Sequence, residues 1–386
     1  MSTLTMAEKK KVASQLRARY QKASKKQKGS ILDEFIEITG YNHSYAARVL
    51  RSAASGAASK KPRTAKVRPK KYDEAVQAAL LFIWNLMDYL CGKRLAPMLP
   101  VLVDHLELHG KLSLSPAVRN KLLTISSATI DRILTPVRRK MQIKGRSHTK
   151  PGTLLKHQIP IRTFAEWNDA QPGFLEIDLV GHDGGNTRGD FLFTLDATDV
   201  ATGWTETVAV RNKAQLHVLA ALCQIRERLP FPLLGIDSDN GSEFINAHFL
   251  RYCTNEQLTF TRGRSGRKND GCFVEQKNYS IIRNAVGYGR FDSSRQQTLL
   301  NQLYSQLRLR TNFFQPVMKL VSKTRVGSRV HKTYDTPTTP FQRVLNAASV
   351  NEANKETLRL VYTSLNLVDL AQNISAFQAK LARSLI

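Results

Sequence analysis

The sequence is short of acidic residues relative to basic ones. Its 386 residues include 31 Asp and Glu against 58 Lys and Arg, which gives a formal net charge of +27. A surplus of this size makes a compact chain repel itself, so it predicts a polyanionic partner. Nucleic acid is favoured over the alternatives, a merely solvated basic surface or a ribosome-type structural role.

Cysteines and long apolar segments are also scarce. The four cysteines lie far apart without a CxxC pair, which argues against disulfides and zinc sites: Cys91, Cys223, Cys253 and Cys272. No apolar run reaches about 18 residues, so no transmembrane helix is expected. The N-terminus is polar and basic, which argues against secretion. These absences favour a cytoplasmic protein.

What the sequence does contain begins with a helix-turn-helix pattern. Ile31, Phe35 and Ile38 recur at helical spacing after a capping Ser30, and Gly40 ends that helix. Asn42 or Ser44 can cap a second helix that runs to about Arg51. A helical hairpin without a DNA partner is the alternative, but the nearby cations favour DNA.

A second unit repeats this logic after a basic linker. Ser115 caps a helix with Pro116 at its first position, and Ser126 or Ser127 caps the next one, which carries basic residues. His105 and His109, four residues apart, have no third ligand patterned nearby, so we interpret them as ordinary helix residues.

From Gly173 the periodicity changes to that of short strands. Three strands separated by glycine-containing turns predict a meander, and alternating helices and strands follow. The predicted fold is multidomain α and α/β, with a mixed five-stranded sheet as its core. After about residue 295 the pattern is helical again, with a basic stretch over 319–332.

Three acids in the α/β segment stand where such a fold can gather them. Asp178 lies in an apolar strand, where a carboxylate is costly unless it is paired or metal-bound. Asp239 follows the fourth strand, and Glu275 lies on a later helix. About 60 residues separate Asp178 from Asp239, and 35 separate Asp239 from Glu275.

This order resembles the DDE signature of retroviral-integrase-type transposases. Asp239-Asn-Gly-Ser-Glu-Phe and the stretch from Asn269-Asp-Gly to Val274-Glu-Gln-Lys-Asn are similar to that family's second and third motifs. Trp204 after Thr202-Gly, and Asn312-Phe-Phe, resemble bacterial insertion-sequence transposases of the ISNCY type. The resemblance is strong over 173–295 and looser over the helix-turn-helix arms.

The resemblance implies an RNase H-like core and two Mg²⁺ or Mn²⁺ ions per active site. Asp178 is expected to bridge both ions, with Asp239 on one and Glu275 on the other. It also implies a nucleoid-associated bacterial enzyme that acts as a homo-oligomer, at least a dimer, on paired double-stranded DNA ends and target DNA. Its function would be to bind terminal inverted repeats and to catalyse strand cleavage and strand transfer.

Other acids and one histidine compete for roles near this trio. Glu176 lies two residues before Asp178 on the same strand face, and Asp237 precedes Asp239. Glu243 is interpreted as structural or as a neighbour of the phosphate. His182 either orients substrate or fills a turn. The lysine that integrase relatives often carry one turn after the glutamate is missing: Tyr279 stands there, and Lys277 is offset.

Basic residues in four places are the predicted DNA contacts. They lie on the second helix of each unit, in the first linker, and in a glycine-rich loop before Glu275: Arg48, Arg51, Lys60, Lys61, Arg63, Lys66, Arg68, Lys70, Lys71, Arg132, Arg138, Arg139, Arg262, Arg264, Arg267 and Lys268.

The predicted organisation has six segments. They are a helix-turn-helix domain (1–55), a basic linker (56–71), a second helix-turn-helix domain (72–143), a basic linker (144–172), the catalytic core (173–295) and a basic, helical C-terminal region (296–386). Two alternatives stay open: an RNase H-like nuclease that acts on hybrids or junctions, and a DNA-binding regulator with an inactive core.

Overall fold

A computed structural model describes residues 4–52, 71–139, 171–239, 241–263 and 272–385 of the chain. Its Cα positions divide into two compact units, residues 1–71 and 72–386. Within the described ranges, every helix is too short or too polar to cross a membrane.

The described stretch of the first unit over residues 4–52 is a bundle of three helices. Its helices are α1 (Met6–Lys22), α2 (Lys25–Thr39) and α3 (His43–Arg51). Buried Tyr20, Phe35 and Leu50 contribute to its core. α2 begins six residues earlier than expected, because Ser24 rather than Ser30 caps it. It ends as predicted at Gly40, whose φ of 68° suits a residue without a Cβ.

The second unit begins with a group of short helices. They are α4 (Glu74–Leu86), α5 (Gly92–Leu95), α6 (Leu99–Leu108), α7 (Pro116–Leu123) and α8 (Ser127–Arg138), with a 3₁₀ turn over Ala96–Met98. Ser115 accepts a hydrogen bond from the Val118 amide, and Ser126 accepts one from Thr129. Both caps satisfy amides that the first helical turn leaves without a partner.

A five-stranded mixed sheet follows. Its strands are β1 (Phe174–Gly181), β2 (Phe193–Asp199), β3 (Thr205–Val210), β4 (Gly235–Ser238) and β5 (Thr259–Arg262). The order is β3-β2-β1-β4-β5; the first three strands form an antiparallel meander, and β4 and β5 run parallel to β1. Helices α9 (Gln215–Arg228) and α10 (Ala247–Asn255) connect the parallel strands. This mixed sheet with helices is consistent with an RNase H-like core.

The remaining chain is mostly helical. It contains α11 (Cys272–Lys277), a π-helical turn (Asn278–Arg283), α12 (Asn284–Val286), α13 (Ser294–Phe314), α14 (Pro340–Asn346), α15 (Glu352–Ser364) and α16 (Leu367–Arg383). A two-stranded hairpin, β6 (Leu320–Val326) and β7 (Arg329–Tyr334), interrupts it. The C-terminal region was predicted to be basic and helical, and the structure adds this hairpin to its helices. Every residue over 321–334 is exposed. Because neither face of the hairpin is buried, its sequence does not show the regular alternation of apolar and polar residues by which a strand is recognised.

Hydrophobic packing joins the early and late helices of the second unit. One core contains Trp84 of α4, Leu102 of α6, Phe313 of α13, Phe341 of α14 and Leu367 of α16. A separate core lies between the sheet and α9 and α10. The helices of the predicted second domain thus share a core with the helices that follow the sheet.

Candidate active site

Asp178 lies in the middle of the sheet. On one side it is directly opposite Asp196 of β2, and on the other its neighbour Ile177 pairs with Ser238, the last residue of β4. Because β1 and β4 are parallel, Asp239 leaves the sheet beside Asp178. The chain reversal after β4 is stabilised by Asp239 itself, whose Oδ1 accepts a hydrogen bond from the Gly241 amide at 2.8 Å.

Glu275 reaches the same edge from α11. It lies in the first turn of that helix and is exposed, as is Asp239, while Asp178 is half-buried. Burial, together with the carboxylates of Asp239 and Glu275, raises the pKa of Asp178 to about 7. The structure therefore brings Asp178 into electrostatic contact with both other acids of the trio.

Glu176 anchors the helix that carries Glu275. Its Oε2 accepts hydrogen bonds from the amides of Phe273 (2.8 Å) and Val274 (3.0 Å) at the start of α11. Burial raises the pKa of Glu176 to about 8, and Asp237 and Glu275 add to the effect. Glu176 is buried in this contact, so its observed role is to hold α11 against β1.

Asn278 is a polar partner of Asp178 that the sequence did not single out. Its Nδ2 donates to Asp178 Oδ2 at 2.6 Å, and its own Oδ1 is buried without a hydrogen bond to any described residue. Asn278 lies one turn after Glu275, so one helical segment carries one acid of the trio and orients another. That spacing from Glu275 is the signal that was available in the sequence.

Asp196 and Lys277 are buried close to this site and interact electrostatically with each other. Apart from the adjacent Ala197 amide, neither Asp196 oxygen has a hydrogen-bond partner among the described residues, and the side chain is fully buried. Burial raises the pKa of Asp196 well above its ordinary value, an effect that Lys277 opposes and Asp178 reinforces. Burial lowers the pKa of Lys277 to about 8. An acid inside the run Phe193-Thr-Leu-Asp-Ala was the sequence signal for Asp196, as it was for Asp178.

The other competing residues lie in different surroundings. Asp237 is buried and accepts a hydrogen bond from Thr261 Oγ1 on β5. Glu243 is half-buried after the turn, within 3.5 Å of Ser242 Oγ. His182 is fully buried, with Nε2 2.8 Å from Thr194 Oγ1, and burial lowers its pKa to about 3. A neutral, enclosed histidine is part of the core rather than a surface that meets substrate.

The predicted DNA contacts fall into three groups. The first group consists of five exposed residues: Arg48, Arg51, Lys71, Arg132 and Arg139.

The second group consists of two residues that are buried or hydrogen-bonded to other parts of the chain, and the third lies outside the described residues. Arg262 is buried in β5. Arg138 donates to Asp131 Oδ1 at 2.6 Å and to the Leu90 carbonyl at 2.8 Å. Nine lie outside the described residues: Lys60, Lys61, Arg63, Lys66, Arg68, Lys70, Arg264, Arg267 and Lys268.

The donor set suits a hard divalent cation, because carboxylate oxygens are the ligands that Mg²⁺ prefers. Asp178 is repelled electrostatically by both Asp239 and Glu275, and a cation would relieve that repulsion. Among the described residues, however, no group of three or more His, Cys, Asp or Glu side chains is close enough to hold a metal ion. Asn240 and residues 264–271, which border Asp239 and α11, lie outside the described ranges.

Comparisons with known proteins find similarity both in sequence and in structure. The uncharacterized protein y4rM of Sinorhizobium fredii is 42% identical over 340 residues, which cover 88% of this chain and 96% of that protein. No family model matches the chain.

The structural neighbours include the catalytic core domains of two integrases. The BIV integrase core is 15% identical with a TM-score of 0.30, and covers 49% of this chain and 98% of its own. The HTLV-2 integrase core, solved in complex with magnesium, is 16% identical with a TM-score of 0.29, and covers 39% of this chain and 93% of its own.

Proposed function

The chain belongs to the family of the uncharacterized protein y4rM of Sinorhizobium fredii, and we propose that it is a DNA transposase. It would bind the terminal inverted repeats of an insertion sequence and catalyse cleavage and transfer of DNA strands. Asp178, Asp239 and Glu275 would form its catalytic centre. Double-stranded DNA and at least one further copy of the chain would be its partners.

One observation carries this proposal. Asp178, in the central strand of the sheet, interacts electrostatically with both Asp239 and Glu275, although 60 and 35 residues separate the three along the chain. Repulsion of a buried carboxylate by two others destabilises a protein unless a cation or a proton neutralises the charge. A fold that nevertheless brings these carboxylates together is expected to use them.

Each residue at this edge has a distinct task in the proposed centre. Asp178, Asp239 and Glu275 would hold two Mg²⁺ or Mn²⁺ ions, which would activate a water or a DNA 3′-hydroxyl and would neutralise charge on the phosphate. Asn278 orients the Asp178 carboxylate, and Glu176 fixes the helix that carries Glu275. Because the attacking hydroxyl comes from water or DNA, the chain needs no serine, tyrosine or cysteine nucleophile.

The test is strand joining on candidate element ends. Labelled duplexes from the DNA that flanks the coding sequence are incubated with the full chain and Mg²⁺, and nicking and strand transfer are measured. We expect Asp178→Ala, Asp239→Ala and Glu275→Ala each to lose more than about 100-fold in joining, since disturbing even supporting residues of a metal site costs up to that much. Binding of the ends should survive.

Asp190→Ala is the matched control, because Asp190 is an exposed acid on the loop between β1 and β2. It should join strands as the wild type does. Retained joining in one trio variant removes that residue from the centre. Hydrolysis of RNA–DNA hybrids without joining would support the nuclease alternative, and binding without any Mg²⁺-dependent cleavage would support an inactive regulator.

A further inference from the structure

The hairpin β6–β7, with its turn, is the most exposed element of the second unit. Every residue over 321–334 is exposed, including Val321 (67%), Val326 (69%), Val330 (43%) and Tyr334 (44%). A lone two-stranded hairpin is marginally stable in water. Exposed apolar side chains on such an element indicate a surface that a partner covers.

The charge of this hairpin identifies the kind of partner. Between Lys319 and Tyr334 the chain has five Lys and Arg residues and no Asp or Glu. Among the described residues, no carboxylate forms an ion pair with the four on the strands: Lys323, Arg325, Arg329 and Lys332. A polyanion complements this charge.

The strand register concentrates the cations on one face. Lys323 is directly opposite Lys332, and Arg325 is opposite Val330, so these four side chains share a face. The other face presents Thr324 opposite His331, and Val326 opposite Arg329. Like charges directly opposite each other destabilise a strand pair, and bound phosphates would relieve that repulsion.

The base of the hairpin is fixed to the rest of the unit. The Lys319 amide donates to Asp335 Oδ1 at 2.7 Å, and Arg343 Nη2 donates to Asp335 Oδ2 at 2.7 Å. Arg343 Nη2 also donates to the Val317 carbonyl at 3.1 Å, and Val317 and Thr338 exchange two backbone hydrogen bonds. The hairpin therefore projects from a braced base.

We propose that β6–β7 is a DNA-binding ribbon that enters the major groove with its Lys323, Arg325 and Lys332 face. Strands of six or seven residues span about 20 Å, and a groove about 12 Å wide admits a two-stranded ribbon. This inference rests on the proposed function only because both require DNA as the partner. It adds a contact surface separate from the catalytic acids and from the N-terminal helices.

The first test compares the salt dependence of binding by three forms of the full chain. Fluorescence anisotropy with a 30-base-pair duplex of arbitrary sequence gives Kd at 50 and 200 mM salt. Each phosphate contact contributes about 0.9 to the logarithmic salt slope. Raising the salt from 50 to 200 mM weakens the binding of both proteins. The factor by which Kd rises should be about 40 times smaller for the variant Lys323→Ala/Arg325→Ala/Lys332→Ala than for the wild type.

A charge-matched variant separates the ribbon from net charge. Arg295→Ala/Lys380→Ala/Arg383→Ala removes three exposed cations from α13 and α16. It should keep the wild-type slope. Equal slopes for the ribbon variant and the wild type, or equal reductions in both variants, would overturn the proposal. Circular dichroism should show that both variants are folded, as expected for exposed positions.

A second test asks which groove the ribbon meets. In a duplex that carries 5-iodouracil, the iodine replaces the thymine methyl group, which faces the major groove. After irradiation of the wild-type complex, mass spectrometry should find adducts within residues 319–335, where His331 and Tyr334 are exposed aromatic targets. Adducts confined to other segments would contradict the proposal.

The remaining outcomes are also informative. A ribbon variant that changes the sedimentation of the DNA-free chain would assign the ribbon to a contact between copies and overturn DNA binding. If the acid variants lose strand joining but no adducts form on the ribbon, DNA binding by the ribbon is refuted and the proposed catalytic trio is not. If adducts form on the ribbon but the acid variants still join strands, the proposed catalytic trio is refuted and DNA binding by the ribbon is not.

Discussion

At the scale of single residues, acids in buried strands carry most of the information. Glu176, Asp178 and Asp196 all stand within apolar strands, and each costs free energy when ionised there. Their different tasks come from their partners: helix amides for Glu176, Asn278 for Asp178 and the charge of Lys277 for Asp196. The sequence marked such positions as unusual but did not show those partners.

The raised pKa values predict that the second unit loses stability as the pH rises from 6.5 to 8. Glu176 and Asp178, with pKa values of about 8 and 7, keep protons in the folded state that the unfolded chain has released. Their stabilisation is complete below the unfolded pKa, near 4, and is lost as the pH rises through the folded pKa. The expected loss from these two groups is about 2 kcal/mol in metal-free buffer, and Asp196, whose pKa is also raised, adds to it.

Urea unfolding followed by tryptophan fluorescence measures this change, because all three tryptophans lie beyond residue 71. His105 and His182 are neutral in the folded state because their pKa values are lowered, and the loss of protons from these histidines in the unfolded chain near pH 6.5 offsets part of the change. Glu176→Gln keeps an acceptor for the α11 amides and should reduce the loss. An unchanged pH dependence in that variant would contradict the assignment.

At the scale of elements, helix ends followed from the sequence better than isolated strands did. Ser115, Ser126 and Gly40 end or begin helices as predicted, because capping depends on side chains next to the helix itself. The start of α2 was misplaced, since Ser24 and Ser30 offer the same capping chemistry. Hairpin β6–β7 was missed because it packs neither face.

The structure separates two capping candidates for α3, and the difference is testable. Asn42 Oδ1 accepts a hydrogen bond from the Tyr45 amide at 2.8 Å, whereas Ser44 lies inside the helix. Asn42→Ala should destabilise α3 by about 1 kcal/mol, and Ser44→Ala by much less. Hydrogen exchange of the α3 amides in the full chain measures both. Equal protection in the two variants would show that Asn42 is not the cap.

At the scale of the whole molecule, positive charge is the dominant property. The excess of 27 cations cannot be neutralised within the chain, so a polyanion should bind with strong salt dependence. If roughly six to ten phosphates are contacted, affinity for an arbitrary duplex should fall about 1000-fold or more between 50 and 200 mM salt. Anisotropy measures this directly. A loss below about tenfold would contradict the electrostatic argument.

The sequence by itself determined the basic character, the mixed sheet and the three acids as candidates, because charge, periodicity and motif spacing are local properties of the chain. Only the tertiary structure decided that Asp239 leaves the sheet beside Asp178, that Glu176 anchors α11, and that Asp196 and Lys277 are buried close to them. Strand pairing and helix docking bring together residues that are distant along the chain. Their contacts depend on the whole packed fold.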